Sequence, residues 1–109
     1  MVYRVSLAAP AESDAYSAFE RIQAAAPRHA EKWLTRLFEA IFSLDKLPTR
    51  CSVIPEAGEL GFAARHLLYG KGSGVYRIIF HVQEDDRHVR VLRIWHASRD
   101  AITVDDVEQ

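Results

Sequence analysis

The sequence predicts an α+β domain in the order β-α-α-β-β-β, closed by a further short helix. In it a helical hairpin packs on one face of a small, antiparallel-rich sheet. Three observations lead there. Residues Val2–Leu7 alternate apolar and polar positions. Two amphipathic helical stretches follow, separated only by Pro27. Residues Arg65–Arg99 then read as three consecutive strands joined by tight turns. A chain of 109 residues is one domain's worth of material, and residues 1–109 are read as a single domain.

Each element has a local reason. In Val2–Leu7, Tyr3, Val5 and Leu7 share one side against Val2, Arg4 and Ser6, as in a half-buried strand. Pro10 suits the first turn of a helix, where its missing N–H costs nothing. Ala15, Ala18, Phe19, Ile22, Ala25 and Ala26 then repeat at helical spacing until Pro27. A second helix is expected from about Arg28 to Leu47. Ala30, Trp33, Leu34, Leu37, Phe38, Ile41 and Leu44 make its apolar stripe, with Glu31, Lys32, Arg36 and Glu39 off it. The short hinge predicts an antiparallel hairpin. Pro48, Pro55, Gly58 and Gly61 punctuate an irregular loop up to about Phe62.

In the meander, Tyr76, Ile78, Phe80 and Val82 should face the helices, leaving Arg77, Ile79 and His81 on an uncovered side. On the last strand Val89 and Val91 share one parity and Leu92 and Ile94 the other. That switch predicts a bulge, or a strand buried on both faces. A last short helix is expected over Asp100–Val107, and disorder at the acidic end Asp105–Gln109.

Composition excludes several function classes. The one cysteine, Cys51, leaves no disulfide framework and no thiol-rich metal site. The histidines form no paired ligand motif on a helix, so neither metal nor cofactor is expected. No apolar run is long enough to span a bilayer, and Met1–Leu7 lacks the pattern of a secretory signal. The expectation is a cytoplasmic chain without membrane contact. Gly70, Gly72 and Gly74 surround Lys71 but precede a strand, so they are read as a hairpin loop rather than a phosphate cradle.

Charge is unevenly placed. Arg65–Arg99 holds seven of the fourteen Lys and Arg, four of the five His and only three acids, a balance of +4 in a chain whose total is −1. Arg65, Lys71, Arg77, His81, Arg93 and Arg99 are the candidates for a basic binding surface. Such a surface could dock phosphate or an acidic partner. The competing expectation is that acids from the loop or the C-terminal tail neutralise it.

Three stretches carry a family resemblance. They are Leu67-Leu68-Tyr69-Gly70, Val75-Tyr76-Arg77-Ile78-Ile79-Phe80-His81-Val82, and Val89 through Asp100 with its Val-x-Val-Leu-x-Ile-x-His-x-x-Arg spacing. Together with residues 48–56 and the helix around Ala30–Ile41, they resemble the RelE/ParE superfamily of type II toxin–antitoxin toxins, favouring the ParE-like branch. The resemblance implies a plasmid-stabilisation type of toxin that arrests growth and is neutralised by a cognate antitoxin. In the ParE-like branch the target is DNA gyrase and no catalysis is involved. In the RelE-like branch it would be a metal-independent mRNA endoribonuclease (an mRNA interferase) acting on the ribosome, with Arg77, Arg99 and His96 as catalytic residues. A degenerate member that only binds antitoxin is a third alternative. The assemblies implied are a homodimer or a toxin–antitoxin heterotetramer. Two departures weigh against the nuclease: Arg65–Tyr69 contains no lysine, and no Tyr, His, Lys or Cys follows Arg99. The chain is therefore read as a non-catalytic inhibitor.

Overall fold

The computed structural model describes residues 2–107. Strand β1 (Arg4–Leu7) leads into helix α1 (Ala9–Ala25), which turns at Ala26 into α2 (Pro27–Phe42). A short helix α3 (Ala57–Leu60) precedes the meander of β2 (Arg65–Tyr69), β3 (Tyr76–Gln83) and β4 (His88–His96). The sheet order is β1-β4-β3-β2, with β1 parallel to β4 and the other pairs antiparallel. Among the described residues, no helix is long and apolar enough to cross a membrane.

The helical hairpin covers one face of the sheet, as its periodicity predicts. Helix α1 contributes mainly alanines, and fully buried Ala11, Ala15 and Ala18 let its backbone lie close against the sheet. Helix α2 supplies the bulk: Leu37 and Ile41, followed by Leu44, meet Ile78, Phe80, Val89, Val91 and Ile94. Burying each large side chain there stabilises the fold by about 1.5–3 kcal/mol. The parity switch on β4 is a bulge. Ile79 pairs with Arg93 but Phe80 with Val91, so Leu92 is the extra residue, and it is fully buried.

The opposite face is not uncovered. The loop after α2 and the C-terminal segment fold across it, and Ile54, Leu60, Ala64, Ile79, Trp95 and Ile102 form a second apolar cluster. Arg65 staples this loop, donating from Nη1 to the carbonyls of Cys51 at 2.6 Å and Thr49 at 3.3 Å.

Other boundaries also differ from the sequence reading. The second helix stops at Phe42 and continues only as a 3₁₀ turn over Ser43–Asp45. Leu47, just before Pro48, is left-handed (φ 47°), which a right-handed helix cannot continue through. The final helix expected over Asp100–Val107 is absent. Residues 100–103 carry no regular structure, and only Val104–Asp106 form a 3₁₀ turn, closed by reciprocal bonds between Thr103 and Asp106. Eight residues are too few to pay for helix nucleation unaided, and Ile102 gives its N–H to a side chain instead. Of the stretch expected to be disordered, 105–107 lie in or beside this turn, and 108 and 109 fall outside the described residues.

Candidate functional site

The three strands distribute the sequence-predicted residues over separate places. Arg77 projects from β3 beneath the loop, where its guanidinium forks onto Glu56 with two 2.8 Å bonds. Its Nε donates to His66 Nδ1 at 3.0 Å. The pair is nearly dry, with side chains 13% and 9% exposed. The Arg77 hydrogen bonds hold the Glu56 carboxyl down at about 2, and the same carboxylate accepts the Ile102 N–H. His66 is shifted below its ordinary value by burial and then by Arg77, so its ring stays neutral and can accept. This arrangement pins loop, sheet and C-terminal segment together.

Arg93 is likewise engaged. Beyond Leu7, β1 no longer pairs with β4, and Asp14 of α1 takes its place along that edge. It accepts from Arg93 Nε at 2.7 Å, from Arg93 Nη2 at 2.8 Å and from the Ile94 N–H at 3.0 Å. Hydrogen bonding to Asp14 raises the Arg93 pKa further. Glu56 thus neutralises Arg77 from the loop, as expected, whereas Arg93 is neutralised by Asp14 of α1 and not by the loop or the C-terminal tail.

Arg99 is exposed, its guanidinium 3.7 Å over the Trp95 ring. Trp95, Ser98, Arg99, Asp100, Thr103 and Asp106 line a shallow polar hollow around it. His96 pairs with Tyr76 in the sheet and packs edge-on to its ring at 4.9 Å, whereas Arg77 pairs with Trp95. Cross-strand parity therefore puts His96 and Arg77 on opposite faces. His96 Nδ1 accepts from the Ser98 N–H at 3.1 Å. Arg77, His96 and Arg99 do not converge on a point where one substrate could meet all three. His81 sits at the far end of the sheet, its ring 4.6 Å from that of Phe62.

Lys71 lies on a different feature, a groove of about 600 Å³ between the helical hairpin and the β2–β3 turn. Ile22, Trp33, Tyr69 and Tyr76 make its floor. Trp33 meets Tyr69 and Tyr76 edge-on at 5.8 and 5.5 Å, and the Tyr69 hydroxyl donates to the Trp33 carbonyl at 2.7 Å. Burial raises the Tyr69 pKa and keeps it a neutral donor. His29, Lys32, Arg36 and Lys71 form the rim; among the described residues none of those lining the groove is acidic, with Glu39 nearby on the Tyr69 side. Gly70 shapes the mouth: at φ +99° it lies so close to Gly74 that a Cβ would meet that residue's carbonyl oxygen at 2.2 Å. An apolar aromatic floor within a cationic rim suits an amphipathic helix with acidic flanks.

Sequence reasoning read Lys32, Arg36 and Trp33 as helix surface and core, and did not single out His29. The available signal was the i, i+3, i+7 spacing of His29, Lys32 and Arg36, which puts two cations and a histidine on one helical face beside Trp33. A family model described as "ParE toxin of type II toxin-antitoxin system, parDE" matches residues 5–101. No curated protein matches the chain.

Proposed function

This chain belongs to the ParE toxins of type II toxin–antitoxin systems, and we propose that it arrests growth by binding DNA gyrase without catalysis of its own. In the same reading, a cognate antitoxin neutralises it by seating an acidic, amphipathic helix in the groove between the hairpin and the sheet. The observation that carries the antitoxin assignment is the groove, with four basic residues around Trp33, Tyr69 and Tyr76 and no acid among the described residues that line it. Support for an inhibitor over a nuclease comes from the sheet residues: Arg77 is held by Glu56, and His96 faces the other way. A 2′-hydroxyl attack needs base, acid and cation around one phosphate, and these residues are not gathered so.

Gyrase contact is assigned to the exposed end bearing Arg99. That guanidinium rests on Trp95 and makes no ion pair among the described residues. An arginine fixed on an aromatic face is pre-ordered for a partner.

Affinity of the purified chain for its antitoxin tests the groove. Lys32→Glu with Arg36→Glu changes two exposed side chains and should weaken binding about 10- to 100-fold, more at low salt than at high. Unchanged affinity of this folded variant would overturn the assignment. Induction without antitoxin should arrest growth; harmless expression would remove the toxic reading altogether.

A further inference from the structure

We infer that the end of the sheet formed by Arg4, Ser6, His81, His88 and Arg90 is a binding site for a phosphate group, separate from the groove and from the Arg99 surface. The register places these residues together. Ser6 pairs with Arg90 and Arg90 with His81, while Arg4 pairs with His88 in the adjacent row. Directly paired residues share a face, with Cβ atoms about 4.5–5.5 Å apart. Two side-chain bonds confirm the common face: Ser6 Oγ lies 2.6 Å from His88 Nε2, and His88 Nδ1 lies 3.0 Å from Gln83 Oε1.

The arginines here differ from those elsewhere on the strands. Arg65, Arg77 and Arg93 are each matched to carbonyls or a carboxylate. Arg4 and Arg90 have no side-chain partner among the described residues, and Arg90 Nε is buried without an acceptor. Directly across the strand, His81 Nδ1 is also buried and unpartnered. Native proteins leave few such atoms unsatisfied, and two on cross-strand partners offer a pair of donors to one polar acceptor. Arg4 and Arg90 bring two positive charges to this end of the sheet, against the turn acids Glu84, Asp85 and Asp86 that line the hollow beside His81. His88 is shifted below its ordinary value by burial, then by Arg4 and Arg90, with Asp86 opposing.

An oxyanion placed between Arg90 and His81 would accept from Arg90 Nε and from the Nδ1–H tautomer of His81, with Arg4 adding charge from the next row. Phe62 against the His81 ring holds the imidazole in place. The shared chemistry admits two sources, a free phosphate or phosphomonoester and a nucleic-acid phosphodiester.

Titration of the full chain with inorganic phosphate, followed by NMR at Arg Nε–H and His ring signals, tests the site. Saturable shifts should centre on Arg90 and His81. Arg90→Gln should weaken binding at least tenfold, the exposed Arg4→Gln should weaken it severalfold, and Lys32→Gln in the groove should leave it unchanged. A second arm adds single-stranded oligothymidylate. Competition for the phosphate-shifted signals identifies a phosphodiester, and its absence a free phosphate or monoester. An unsaturable response, or a saturable one that Arg4→Gln leaves unchanged, would overturn the inference. Arg4→Gln lies at an exposed position, so it decides the matter even if Arg90→Gln fails to fold.

Discussion

Replacing Glu56 by Gln removes one charge from the nearly dry pair under the loop while keeping an amide oxygen for the Ile102 N–H. Two routes give the size of the effect. Hydrogen bonds, first from Arg77 and then from the backbone of Glu56 and Ile102, outweigh burial and lower the Glu56 carboxyl from its ordinary 4.5 to about 2, which corresponds to about 3 kcal/mol of folding stability at neutral pH. Removing one partner of a buried ion pair costs about 3–5 kcal/mol, because the other charge stays buried. The two agree at about 3 kcal/mol, or roughly 12 °C in Tm for a domain of this size. Because the folded value is depressed, the contribution is complete above pH 4.5 and disappears as pH falls through about 2. Urea unfolding of wild type and Glu56→Gln at several pH values should therefore give a constant gap from pH 7 to pH 5. Below that the gap should narrow. A second variant, Glu56→Leu with Arg77→Met, removes both charges and should recover most of the loss. A gap under 1 kcal/mol at pH 7, or one that stays the same between pH 5 and pH 3, would refute the reasoning.

Three further outcomes are expected. Gly70→Ala forces a Cβ onto the Gly74 carbonyl at a left-handed position and should cost about 1–3 kcal/mol in chemical denaturation; Gly58→Ala, with open space around it, should cost far less. Asp14→Asn deprives Arg93 of its ionic partner and should destabilise the fold by about 2 kcal/mol, whereas a change below a few tenths in the melting analysis would show the pair to be incidental. Arg99→Ala should reduce gyrase inhibition about tenfold or more while leaving antitoxin affinity within twofold, since Arg99 lies outside the groove; equal losses in both assays would mean the two surfaces are one.

Much of the fold was legible because periodicity is a local signal. The stripe on α2 named Leu37, Ile41 and Leu44 as core, and all three are fully buried. Parity on β3 separated Phe80 from Arg77, and the switch between Val91 and Leu92 marked the bulge. The parallel pairing of β1 with β4 left no such trace, since alternation in Val2–Leu7 says that a strand exists but not which strand it joins. The acids that pair with the strand arginines left no trace for a related reason. Glu56 lies 21 residues from Arg77, and Asp14 lies 79 from Arg93. An acid in a loop or on a distant helix gives no local sign that it will meet a basic strand. Counting charge on Arg65–Arg99 therefore overestimated how much of it is available to a partner. The groove was legible only in part: the spacing of His29, Lys32 and Arg36 places basic residues on one face of α2, but Lys71 of the β2–β3 turn joins them only through the packing of the hairpin on the sheet.

The central claim is that this chain stops growth through gyrase and is released from it by its antitoxin. A supercoiling assay with purified gyrase, relaxed plasmid and this chain, run with and without antitoxin, tests it most directly. The account predicts that the chain blocks supercoiling and that antitoxin restores it, except when the chain carries Lys32→Glu and Arg36→Glu and so escapes neutralisation. Unaltered supercoiling at saturating toxin, accompanied by cleaved messenger RNA in growth-arrested cells, would contradict it.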